Sequence, residues 1–307
     1  MTGNPQQSQF SLPFAALILG AVAMGASPIF VRLADVGPFA SAFWRMALAI
    51  PILWGWLKYE AAHAQKSGGS VPALTASTDA KLIIWIGFLF AGDLFFWHLS
   101  ILNTSIANAT MLATTTPLAV AFGAWVFLKE KITPQIMTGV LSGVAGAGLL
   151  VGASATFAPE NVMGDISGLI TAGFFGTYFL SLAYARRRMS AAQVMFYPAI
   201  VTAGFLLIAA LLLDDALFPQ TLQGVATLCA LALISQIAGQ GFAAYALGHL
   251  PAVFSSLVLF FEVLAAALLA WLIFAEPLSL WQLGGGLLIL AGIYVARPRK
   301  EKLRTNP

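Results

Sequence analysis

The sequence predicts an all-α polytopic membrane protein, with ten transmembrane helices in two inverted five-helix repeats and both termini cytoplasmic. Three observations predict it. Only 9% of the 307 residues are charged and 60% are hydrophobic, whereas a soluble domain carries roughly a quarter charged residues to cover its surface. Apolar runs of about 20 residues, the length that crosses a bilayer core, recur along the chain. The few cations collect on alternate connections between those runs. Soluble enzymes, nucleic-acid binders and disordered scaffolds are excluded at once. The net charge of +3 reflects where Lys and Arg sit, not an affinity for nucleic acid.

The runs fall near 13–33, 37–57, 82–102, 105–128, 134–153, 163–185, 191–213, 221–247, 250–274 and 279–296. With the N-terminus inside, 13 of the 15 Lys and Arg lie in inside segments: Lys58, Lys66, Lys81, Lys129, Lys131, Arg186–Arg188 and five within 297–304. The outside connections hold Arg32 alone, and most of the acids: Asp35, Glu160, Asp165, Asp214, Asp215 and Glu276. This is the positive-inside asymmetry of a multi-pass protein of the bacterial cytoplasmic membrane. Residues 1–12 read as a cytoplasmic tail without a cleavable leader, 58–81 as a flexible cytoplasmic connector, and 297–307 as a basic cytoplasmic tail.

The halves repeat. Residues 103–151 align without a gap on 249–297, pairing Trp125 with Trp271, Glu130 with Glu276, Gly139 with Gly285 and Gly146 with Gly292. The repeats are 13–153 and 163–296, joined by a connector at 154–162. Five spans per half is an odd number, so the second half enters the membrane from the opposite side. Glu130 is expected inside and Glu276 outside. Inverted repeats of this kind build secondary transporters, with substrate held near the midplane.

The stretch NTSIANATMLATTTPLAVAFGAWVFLKEKITPQIMTGVLSGVAGAGLLV resembles the second part of an EamA repeat of the drug/metabolite transporter superfamily. The family's second-helix Arg is matched by Arg45 within AFWRMALAI, its fourth-helix Pro by Pro117, and the Glu that follows by Glu130. The resemblance covers essentially the whole chain, and within the superfamily it is greatest to the YddG-type aromatic amino-acid exporters. It implies ten helices, alternating access, and export of metabolites or amino acids. It places helices five and ten away from the cavity. The second half departs from the pattern: Val263 replaces the proline, Glu262 precedes it, and Tyr197 stands near the position of the Arg.

Ionisable residues at membrane depth are costly and mark function by default. Asp93, Glu262 and Arg45 lie near mid-depth, and His98 slightly further out. One arrangement pairs Arg45 with Asp93 and keeps Glu262 protonated and hydrogen-bonded. Another leaves a carboxyl free to carry a proton. Asp93 and Trp97 share a helix face, as do Gln236 and Gln240, and Thr110 and Thr114, each pair at i,i+4 spacing. A cavity lined by Asp93, Trp97, Thr114, Gln240 and Glu262 follows, with Gln236, Arg45, Tyr178, Tyr245 and His98 as further substrate-binding or coupling candidates. Lipid-facing or packing roles compete for the aromatics. Gly25, Pro28 and Pro117 are candidate hinges, since proline removes a backbone bond. The GxxxG pairs Gly139/Gly143 and Gly148/Gly152 suit close helix packing, within the chain or between subunits.

A phosphorylated substrate needs several basic residues, and only Arg45 lies at depth. That disfavours the sugar-nucleotide or other phosphorylated-metabolite carriers of the superfamily. Two acids and several aromatics suit an ammonium on an apolar body, so the expected cargo is an amino acid, aromatic above all, or a related cation. Protons are the candidate coupling ion. The remaining partner is the lipid bilayer. No cofactor, metal or nucleic acid is expected: Cys229 is the single cysteine and the histidines are not paired. An intramembrane enzyme built on Ser27 lacks a positioned base, and a non-transporting sensor is the other alternative. Monomer and homodimer both stay open.

Overall fold

Every regular element among the described residues is helical. This computed structural model describes residues 5–68, 70, 72–74, 78–104, 109, 112–113, 115–152, 159–274 and 279–297. Helix α1, Pro5–Gly25, takes in part of the stretch expected as an N-terminal tail. The chain turns at Ala26 and resumes as α2, Ser27–Leu33, with Pro28 in its first turn. Proline's missing N–H is harmless there, because first-turn donors have no intrahelical acceptor.

Helices α3, Pro38–Lys66, and α4, Thr78–Asn103, overrun the expected ends at 57 and 82. Much of the 58–81 connector is therefore helix. Residues 58–66 are rich in Lys, Glu, Ala and Gln, strong helix formers that continue α3 beyond its apolar part. Pro51 sits inside α3 without ending it.

Helix α5, Thr116–Gly123, has Pro117 in its first turn and passes into a π turn at Ala124–Leu128. Helix α6 is Pro134–Gly152, α7 is Val162–Ala185 and α8 is Ala191–Leu213. Helix α9, Leu222–Ala230, widens into a π segment, Leu231–Gln240, before α10, Gly241–Leu247. Helices α11, Ala252–Val258, and α12, Phe261–Phe274, are separated by a turn, and α13 is Leu280–Ala296. Seven described segments are long and apolar enough to cross a bilayer: Ser11–Leu33, Pro38–Lys66, Thr78–Asn103, Val162–Ala185, Ala191–Leu213, Leu222–Leu247 and Ala252–Leu269.

Packing joins the halves. Helix α3 lies along α8, α4 along α7 and α8, α1 against the π segment, α10 and α12, and α5 against α7 and α11. Helix α6 pairs with α13 through a glycine seam. A Cβ on Gly139 would lie 2.7 Å from the Gly292 carbonyl oxygen, and one on Gly146 would lie 2.6 Å from that of Gly285. Only a residue without a side chain allows such backbone contact. Gly139 and Gly146 thus serve packing inside one chain, whereas a Cβ on Gly148 would meet nothing within 4 Å.

Charged groups tie helix ends across the bundle. At the end carrying Asp35, Asp214 and Asp215, the acidic end, Asp35 accepts hydrogen bonds from the Thr221 hydroxyl (2.7 Å) and the N–H groups of Thr221 (2.9 Å) and Gln220 (3.1 Å). The Thr221 hydroxyl above all holds the Asp35 carboxyl below the usual carboxylate range. Nearby, Asp214 accepts from the Ala40 N–H at 2.5 Å. Partial burial outweighs that bond and raises the Asp214 carboxyl. At the opposite, basic end Arg188 pairs with Asp79, and Glu60 accepts from the Ala192 N–H at 3.4 Å. There too, Glu130 accepts from the N–H groups of Ala252 (2.9 Å) and Val253 (3.3 Å).

Candidate functional site

The breaks in the helices converge on a cavity of about 160 Å³ whose largely apolar lining holds several polar side chains. A single water needs roughly 10–15 Å³ of such space, so the cavity admits several waters or one small solute. Asp93 and Trp97 come from α4, Arg45 from α3, Gln240 from the end of the π segment and Glu262 from the start of α12. Pro28 and Pro117, each at a helix start, also line it. Asp93 and Trp97 reach the same space because i,i+4 side chains stack on one helix face.

Arg45 is buried, 6% exposed, and is held by two neutral groups. Its Nε donates to Gln236 Oε1 at 3.1 Å and its Nη1 to the Ser27 hydroxyl at 3.2 Å. Its guanidinium lies 5.8 Å from the Phe90 ring centre, within cation–π range. Among the described residues no ion pair joins Arg45 to Asp93 or Glu262, so the structural Arg45–Asp93 pair is absent. Neither carboxylate has a hydrogen-bond partner among the described residues, so Glu262 is not held by one either. Two carboxylates thus face a shared space with one guanidinium turned to other partners.

Around this charge cluster, Tyr178 donates its hydroxyl to Gln240 Oε1 at 3.2 Å and stacks on Phe90 with ring centres 4.6 Å apart. The Gln240 amide in turn reaches Met24 Sδ at 3.1 Å. Tyr178 and Gln236 therefore sit one layer behind the cavity surface, orienting Gln240 and Arg45. His98 is buried away from it, its Nδ1 2.7 Å from the Leu94 carbonyl and its ring 6.1 Å from Phe39. The Tyr245 ring lies tilted against His249, ring centres 4.7 Å apart, and does not line the cavity. Gly25 lies where α1 crosses α12: a Cβ there would sit 2.6 Å from the Glu262 carbonyl oxygen. Thr110 and Thr114 lie outside the described residues.

Sequence reasoning missed several lining residues: Met24, Ser27 as an Arg45 partner, Phe90, Thr116, Thr171, Phe175 and Phe260. Four of them are apolar or aromatic and read as ordinary packing. Thr116 carried a signal, since the repeat alignment pairs it with Glu262. Thr171 is buried with its hydroxyl unpartnered. Chemically, the lining brings together two carboxylates that have no hydrogen-bond partner among the described residues, an amide and a guanidinium, with aromatic walls. It can hold a small solute with hydrogen-bond donors and an apolar body. No grouping of His, Cys, Asp and Glu suited to a metal ion occurs among the described residues.

Fold and site define a multi-pass helical membrane protein with a cavity that holds ionisable side chains. Residues 12–152, and again 162–297, match the EamA-like transporter family. The chain belongs to that family and is a membrane transporter. An uncharacterized transporter of Archaeoglobus fulgidus is 24% identical over 280 residues, covering 89% of this chain and 93% of that one. The pseudopaline exporter CntI of Pseudomonas aeruginosa is 26% identical over 202 residues, covering 66% of this chain and 69% of its own. One crystal structure aligns over 94% of this chain and 98% of its own with a TM-score of 0.73 at 22% identity, a likeness of fold.

Proposed function

We propose that the protein is a secondary transporter of the bacterial cytoplasmic membrane that exports small amphipathic metabolites by alternating access. Its cargo is amino acids, aromatic ones foremost, and related cations. The observation that carries this reading is the cavity in which Asp93 and Glu262 stand beside Arg45 without a hydrogen-bond or ion-pair partner among the described residues. Two carboxylates attract an ammonium group, the guanidinium keeps donors for a carboxylate, and Phe90, Trp97, Phe175 and Phe260 offer an apolar wall. A solute carrying one net positive charge, or a zwitterion with a proton, balances the site.

The proposed architecture is ten spans in two inverted repeats, 13–153 and 163–296, with both termini inside. Its support is the double match of the family model and the reciprocal seam. There Gly139 meets Gly292, and Gly146, the alignment mate of Gly292, meets Gly285, the mate of Gly139. Contacts of α4 with α7 likewise have counterparts in those of α1 with the π segment and α10. The named exporter among the relatives agrees with the direction of transport. Gly25, Pro28 and Pro117 act as hinges in this reading.

The test is competitive uptake of labelled amino acids by reconstituted protein at two pH values, with and without a proton gradient. Saturable exchange of aromatic or cationic amino acids is the expected result. A chain that moves no amino acid or amine in either direction refutes it.

A further inference from the structure

We propose that Gln236 sets the selectivity of the cavity: it fixes Arg45 as a carboxylate subsite, so that the site tells an amino acid from the amine that lacks its carboxylate. This rests on the reading of the chain as a transporter of amino acids and related cations, and narrows the favoured solutes to zwitterions with a carboxylate beside the ammonium. Gln236 acts through Arg45 and is a positioning residue.

A guanidinium and carboxylates in one cavity ordinarily join in a two-bond ion pair. Arg45, Asp93 and Glu262 line one cavity, yet among the described residues no ion pair joins them. Arg45 has two neutral acceptors instead. Its Nε donates to Gln236 Oε1 and its Nη1 to the Ser27 hydroxyl. With Nε taken, the side-on fork of Nε and Nη2 is closed to a carboxylate. A guanidinium has five N–H donors, and the ones left on Nη1 and Nη2 have no acceptor among the described residues. A neutral acceptor fixes the group without cancelling its charge. The cation therefore stays available to a solute anion.

Gln236 stands where it can hold Arg45 without touching the solute. It is 1% exposed and does not line the cavity, whereas Arg45 and Ser27 do. It comes from the π segment, which packs on α1 and α3, and Ser27 comes from the break after Ala26. Arg45 is thus gripped by two irregular segments outside its own helix, with the Phe90 ring on a further side. Gln236, Ser27 and Phe90 are all buried, and a hydrogen bond to a charged group costs more to lose there than in water. The residues closest to glutamine in size would undo the arrangement in opposite ways. Glutamate would keep the bond and cancel the charge in place. Leucine would keep the charge and remove the bond, leaving Nε free for a carboxylate of the cavity.

The test is equilibrium binding of two probes to the purified full chain: phenylalanine, and phenylethylamine, which lacks only the carboxylate. The readout is the ratio of their dissociation constants in the parent, Gln236→Leu and Gln236→Glu. In both variants the affinity for phenylalanine relative to phenylethylamine is expected to fall about tenfold, the effect of losing one charge-assisted hydrogen bond. A glutamine that served only to satisfy a buried arginine would, on removal, weaken both probes alike and leave the ratio in place. A parental ratio in either folded variant, or a parent that binds the amine alone, overturns the proposal and leaves a transporter of cations. A parent that binds neither probe overturns the transport reading and the proposal with it. Should Gln236→Leu fail to fold, Gln236→Glu, which keeps the acceptor and the shape, decides alone.

Discussion

The α6–α13 pair and the cavity wall are built on opposite plans. Helices α6 and α13 run unbroken, carry no charge, and touch backbone to backbone through glycines. The cavity wall gathers the places where helices break, between α1 and α2, at the start of α5, at the π segment, and between α11 and α12, beside side chains of α3, α4 and α7. Its side chains include the ionisable residues at depth, Arg45, Asp93 and Glu262, among mostly apolar neighbours. Small residues give van der Waals contact that tolerates no insertion. Breaks leave backbone groups and polar side chains that need water, solute or each other. The difference teaches which region bears the fold and which is free to bind and move.

Substitutions can break that contrast, and the largest effect is expected in the seam. Gly146→Leu drives a side chain into the Gly285 carbonyl and the Ile289 N–H, 2.6 and 2.8 Å from its Cβ. The account expects a loss on the order of 4 kcal/mol or more, read as lost monodisperse protein or a large drop in thermal midpoint. A tolerated Gly146→Leu would dissolve the contrast. Next comes Arg45→Leu in the cavity. It removes the guanidinium beside Asp93 and Glu262 and leaves Gln236 and Ser27 without their Arg45 donors, and transport should fall at least about a hundredfold. Retained transport in that variant would take Arg45 out of the site.

Thr171→Val is a finer probe. Its hydroxyl has no partner among the described residues, so stability should hold or rise. Affinity should fall by the value of one hydrogen bond, ~0.5–1.5 kcal/mol, read as a several-fold rise in KM with kcat little changed. Unaltered KM would leave the hydroxyl without a use in binding. The smallest effects belong to the acidic end, where two carboxylates have opposite signs. Asp35 is held low by its hydrogen bonds, so its stabilisation is complete above the ordinary carboxylate pKa of about 3.9 and is lost as pH falls through its lower folded value. Asp214 is raised by burial, so stability is gained as pH falls through its folded value toward the ordinary one. Asp35→Asn should flatten the acid loss in a thermal-midpoint profile, and Asp214→Asn should remove the opposite slope. The same slope in both variants would contradict the assignment.

Much of this was legible in the sequence because charge is so scarce. Arg45, Asp93 and Glu262 stood out as ionisable residues inside apolar runs, and they share the cavity with Gln240 and Trp97. Depth along a helix is readable from residue count, but angle around it is not when every face is apolar. His98 follows Trp97 by one residue, about 100° around the helix, and so turns into packing. The π segment shifts register in a way no hydropathy pattern reports. Phe90, Phe175 and Phe260 look like any buried aromatic until the cavity beside them is seen. The helical ends of the 58–81 connector were hidden because polar helix and polar loop share a composition.

The central claim is that Asp93 and Glu262 hold the transported solute. Equilibrium binding of a labelled aromatic amino acid to purified protein tests it, comparing the parent with the Asp93→Asn/Glu262→Gln double variant at matched thermal midpoint. The account predicts one saturable site in the parent and its loss in the double variant. Equal binding in both would contradict it.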